Sequence, residues 1–79
     1  MTFHYDKLID ARGTKCPQPL LLAKQGIKQI DGKQIILLEA TDPHTDLDLE
    51  VWCERFGHKM IATEVEDDVY RFWIKKIVP

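Results

Sequence analysis

At 79 residues, with 44% apolar and 30% charged side chains, the chain has the composition of a globular protein and the length for one core. A fold this small removes only ~60% of its unfolded surface from water, so Met1 to Pro79 is read as a single domain. The apolar share excludes a disordered segment, no stretch reaches the ~20 apolar residues of a membrane span, and a formal charge of −2 leaves no basic footprint for autonomous nucleic-acid binding.

The opening MTFHYDKLID carries Asp6 and Asp10 where a signal peptide would be apolar, which predicts a soluble cytoplasmic protein. Within it, KLIDA (Lys7 to Ala11) is a short strand candidate. After RGTKCPQP comes an amphipathic helix in which Pro19, Leu20, Leu22, Ala23, Gly26, Ile27 and Ile30 gather on one side and Lys24, Gln25 and Lys28 on the other. Leu21 falls on the polar side. Gly26 costs ~1 kcal/mol relative to alanine unless the helix presses close to a neighbour there, so it is read as a packing residue.

KQIILLEA (Lys33 to Ala40) is a continuous apolar run of strand length, expected to be central and buried on both faces. TDLDLEVWCERFG (Thr45 to Gly57) fits two periods. Leu47, Leu49 and Val51 alternate as in a strand, whereas Leu49, Trp52, Cys53 and Phe56 have helix spacing. Its ends favour the helix: Thr45 can serve as N-cap, three acids occupy the first turns, and Gly57 suits the stop. KMIATEVE (Lys59 to Glu66) and VYRFWIKKI (Val69 to Ile77) flank Asp67 and Asp68 as a hairpin. Ile61 with Val65, and Tyr70 with Phe72 and Ile74, are expected to face inward.

The order β-α-β-α-β-β predicts an α+β fold: a two-layer α/β sandwich with a mixed four-stranded sheet and two helices on one face. Trp73 alternates onto the other, open face, as a partial surface cover.

Cys16 is the residue with chemistry. Proline is tolerated at the first helical position, which makes Pro17 the start of the helix and Cys16 its N-cap. Its sulfur would then meet unpaired backbone N–H groups, those of Gln18 and Leu20 being the candidates, and the positive end of the helix dipole. Arg12 and Lys15 add positive charge, and a thiol so placed can fall from a pKa of ~8.5 into the range ~3.5–7.5. No histidine, glycine-rich oxyanion loop or second thiol is adjacent in sequence, so acyl transfer and CxxC exchange are poorly equipped. The competing reading is a small buried residue at a helix start.

The run DARGTKCPQPLLLAKQ, followed by ATDPHTDLDLEVWC and FGHKM, resembles the TusA/SirA family of small sulfur-carrier proteins, whose hallmark is a CPxP motif opening the first helix. The resemblance covers nearly the whole chain and implies the same β-α-β-α-β-β fold. It further implies a sulfurtransferase in which Cys16 accepts a sulfane sulfur as a persulfide from a cysteine desulfurase and passes it to a relay protein or another acceptor. The best-known route in the family ends in 2-thiouridine of tRNA; other members serve sulfur oxidation or molybdenum-cofactor pathways. The charge and the absence of a long apolar run lead to the expectation that tRNA is met only indirectly or in complex and that no membrane or cofactor is involved, and the free protein is expected to be a monomer.

Two positions depart from the family pattern. Gln18 stands where thiouridine-route members commonly carry glutamate, and Leu47 where arginine is common. Gln18, the exposed-side Leu21, Lys24 and Asp42 of the Asp42-Pro43 turn are candidate partner contacts; Arg12, Lys15, Pro17 and Pro19 are expected to tune or shape the thiol site. Cys53 shares the apolar stripe of the second helix and is read as structural. His4, His44 and His58 lack ligand-like spacing, so no metal is expected. The alternative function is a redox-sensitive regulatory or interaction module, whose thiolate would be oxidised rather than sulfurated.

Overall fold

Pairing of Lys7–Ala11 (β1) with Ile35–Ala40 (β2) is parallel, which requires a crossover, and the helix Gln18–Lys28 (α1) supplies it. Thr45–Phe56 (α2) then leads to the antiparallel hairpin Lys59–Glu66 (β3) and Val69–Lys75 (β4). This is a computed structural model, and it describes residues 3–77. The sheet order is β1-β2-β4-β3, so β2 and β4 are the inner strands and both helices cover one face.

The core lies between the layers. Ile9, Ile36, Leu38, Phe72 and Ile74 project from the sheet against Ala23, Ile27, Leu49 and Trp52 of the helices. β2 is buried on both faces because Leu37, pointing away from the helices, lies beside Trp73 in the register. Trp73 is not a partial surface cover: it is 2% exposed, and Phe3, ahead of β1, meets its ring edge-on at 5.5 Å between centroids. Elsewhere on that face Arg71 ties Glu39 at 2.9 Å and Glu64 at 3.3 Å, linking three strands.

Gly26 is a packing residue because a Cβ there would overlap Ile9 Cδ1. Several boundaries move from the sequence expectation. β2 begins at Ile35 because Lys33 takes a left-handed φ of 72°. Asp67 and Asp68 turn the hairpin at positive φ of 51° and 64°, conformations that short polar side chains tolerate. Ile61 and Val65 do not share a buried face. The register shifts between Met60 and Ala62, so Met60 packs on the core while Val65 is 62% exposed. Thr45 is not an N-cap either: His44 holds that position, and Thr45 is buried in the first turn.

Candidate functional site

Neighbouring parallel strands send their following loops out at the same edge of the sheet, and the crevice outside those strand ends is where open α/β sheets present a site. Here the loop after β1 carries Arg12 to Pro17 and the loop after β2 carries Thr41 to His44. Gly13 N–H donates to Thr41 Oγ1 at 2.9 Å, and Cys16 N–H donates to Asp42 Oδ2 at 2.6 Å. The two loops are thereby stitched together, with Gly13, Lys15, Asp42 and His44 around a shallow depression between them.

Cys16 is exposed and Cys53 is buried, so the two thiols divide as their sequence contexts indicate. The local frame differs from the expected one by a residue. Gln18 N–H donates to the Lys15 carbonyl at 2.8 Å, closing a turn with Cys16 and Pro17 at its corners. The Cys16–Pro17 peptide is cis. Pro17 occupies the N-cap, and the first helical bond runs from Leu21 N–H to the Pro17 carbonyl at 3.1 Å. Of the two amides expected to meet the sulfur, those of Gln18 and Leu20, the Gln18 N–H is therefore occupied by the Lys15 carbonyl.

The sulfur instead turns toward α2, where the Cys16 thiol donates to Asp48 Oδ2 at 2.6 Å. This overturns the expected electrostatics. The Asp48 hydrogen bond, followed by desolvation and by the negative charges of Asp48 and Asp42, raises the thiol above its ordinary range. Arg12 does not offset this, because its guanidinium grips Asp10 with Nε at 2.9 Å and Nη2 at 3.1 Å. Lys15 is exposed. The groups that set the sulfur's charge are Asp48 and Asp42, not Arg12 and Lys15.

Asp42 also departs from the role of an outward contact. Its side chain is 13% exposed. One oxygen accepts from Cys16 N–H, and the other accepts from His44 N–H at 3.0 Å while lying 3.2 Å from the His44 ring. These bonds, led by the one from Cys16, hold the carboxyl below its ordinary value. Asp42 therefore braces the cysteine loop and the start of α2. Gln18 and Leu21 are exposed on α1, and Lys24 is half-buried. Lys24 borders a groove between the helices with Leu20, Leu47, Asp48 and Val51. Leu47 is 64% and Val51 51% exposed, so the apolar surface beside the cysteine continues onto α2.

Asp48 is the site residue that sequence reasoning missed. By resemblance Asp48 matches an aspartate of the TusA/SirA pattern, but sequence alone assigns it no role: within α2 it is one of several acids suited to a helix N-terminus, and its contact lies 32 positions away. A signal for its place at the site was topological: in a parallel β-α-β unit, the loop after the first strand faces the beginning of the helix after the second.

The family model of the sulfurtransferase TusA matches residues 7–76. Among curated proteins, the chain is 35% identical over 71 residues to YrkI of Bacillus subtilis, whose name assigns it provisionally to the sulfur carriers; the match covers 90% of this chain and 95% of that one. It is 31% identical over 71 residues to the sulfur carrier protein TusA of Pseudomonas syringae pv. tomato, covering 90% of this chain and 84% of that protein. Among solved structures, a SirA-like protein of Desulfitobacterium hafniense superposes with a TM-score of 0.81 at 20% identity, over 92% of this chain and all of that one. That likeness supports the fold.

Proposed function

The chain belongs to the TusA sulfurtransferase family, and from that premise we propose that it is a sulfur carrier whose Cys16 accepts a sulfane sulfur as a persulfide and delivers it to an acceptor thiol. The observation that carries the reading is the pair of cysteines: Cys16 stands exposed where two loops meet, while Cys53 is sealed in the core. A carrier must insert its sulfur into another protein's active site, and only Cys16 has that reach.

The proposed donor is a cysteine desulfurase and the acceptor a relay protein, with tRNA thiolation the downstream route to test first. Docking would use the exposed part of α1, Gln18 and Leu21, together with Lys24 and the Leu47–Val51 flank of α2. A redox sensor and a sulfur carrier both react through the Cys16 thiolate, so the carrier reading is preferred on the family membership of the chain. Among the described residues no helix is long and apolar enough to cross a membrane.

Incubation with a cysteine desulfurase and radiolabelled cysteine should label the wild-type protein on one thiol, and Cys16→Ser should abolish the label. Equal labelling of Cys16→Ser would remove the proposal.

A further inference from the structure

We propose that Asp48 is the positioning residue of sulfur transfer: its carboxylate holds the Cys16 sulfur as a protonated, unreactive thiol in the free protein, and must be neutralised or displaced before that sulfur attacks. The inference rests on the carrier reading of Cys16 and adds a residue that controls when the sulfur is active.

The geometry is specific. Asp48 Oδ2 lies 2.6 Å from Sγ. Asp42, the other nearby carboxylate, spends both oxygens on backbone donors and on the ring of His44. The charged and titratable groups of the elements around the sulfur are Asp48 of α2, Asp42 and His44 of the second loop, and Arg12 and Lys15 of the first. Arg12 is paired with Asp10, the His44 ring lies against Asp42 and Lys15 is exposed, so the charges that act on the thiol are those of Asp48 and Asp42. Lys24 of α1 borders the same groove as Asp48. A carboxylate that accepts the thiol proton favours the S–H form, and its own charge repels the thiolate.

In the transfer itself Cys16 loses its proton to water, and the thiolate attacks the terminal sulfur of the donor persulfide. The donor S–S bond breaks, its electron pair leaves on the donor's inner sulfur, and that sulfur takes up a proton. One S–S bond replaces another with no net oxidation. Asp48 sets the first of these events, so a thiol guarded in this way survives transit among oxidants and becomes nucleophilic where a basic side chain of the docked protein offsets the carboxylate.

The test is the pH profile of Cys16 reacting with a small neutral disulfide, with adducts located by mass. Asp48→Asn, which removes the charge and keeps the shape, should lower the reaction midpoint. For each unit of decrease the thiolate fraction at neutral pH rises about tenfold while intrinsic nucleophilicity falls, leaving a net gain of about three- to fourfold in rate. Asp48→Glu should retain the wild-type midpoint. A midpoint in Asp48→Asn that is unchanged or higher, or an Asp48→Glu profile that moves with it, overturns the proposal. Should Asp48→Asn fail to fold, the wild-type protein decides: its Cys16 midpoint must exceed that of a peptide spanning residues 12–25, and an equal or lower value overturns the inference. Failure here with normal sulfur loading of Cys16 leaves the carrier reading standing; loss of loading specificity in Cys16→Ser would sink that reading whatever the profile.

Discussion

Cys16 and Cys53 are the same side chain in opposite surroundings, and the difference is measurable. Burial alone pushes the Cys53 thiol up to about 11. A folded value above the unfolded one means stability that is complete below the unfolded thiol range, ~8.5, and is lost as pH climbs from there toward about 11. Urea midpoints across that window should fall in the wild type and fall less in Cys53→Ala, which has no thiol there to ionise in the unfolded chain. Asp42 works with the opposite sign. Its folded value lies below the ordinary 3.8, so its contribution is present above that pH and disappears as acid protonates the folded carboxyl. Thermal melts of Asp42→Asn should start lower at neutral pH, through the weakened bonds to Cys16 and His44, and then decline less steeply than wild type on acidification.

Contacts between elements decide how the cysteine loop is mounted. α1 approaches β1 so closely at Gly26 that a methyl group would meet Ile9 Cδ1. Gly26→Ala gains ~1 kcal/mol of helix propensity and incurs ~1–3 kcal/mol of overpacking, so a net loss of about 1 kcal/mol is expected by chemical denaturation. Ile9→Val removes the opposing methyl at a cost of ~0.5–1.5 kcal/mol by itself. In the double variant the losses should sum to less than the separate values, because the overlapping atom has gone. Additive losses would show that Ile9 is not what excludes a side chain at position 26. The helix face was legible in the sequence because Pro19, Ala23, Gly26, Ile27 and Ile30 repeat at helical spacing and all are buried. The edge strand was less legible. Alternation assumes unbroken pleating, and the irregularity between Met60 and Ala62 changes which residues of β3 meet the core. The start of α2 was misread for a related reason. Thr45 has the chemistry of a cap, but Asp42, three residues earlier, already accepts the His44 amide, and Thr45 is carried into the interior.

Across the whole molecule, the layer order followed from local patterns, and so did the exposure of the cysteine beside its prolines. The charge state of the sulfur did not. Reasoning along the chain saw Arg12 and Lys15 as neighbours of Cys16, whereas the folded chain commits Arg12 to Asp10 and brings Asp48 across from another element. Adjacent parallel strands create a topological neighbour that proximity along the chain does not reveal. A carrier built this way presents an accessible but guarded thiol, and its activation belongs to the complex rather than to the isolated domain. The most direct measurement of the account is peptide mapping by mass after the wild-type protein has been loaded by a cysteine desulfurase. The added sulfur should reside on the peptide containing Cys16 and disappear when an acceptor thiol is supplied. Sulfur found on Cys53, or retained on Cys16 in the presence of every acceptor thiol offered, would contradict it.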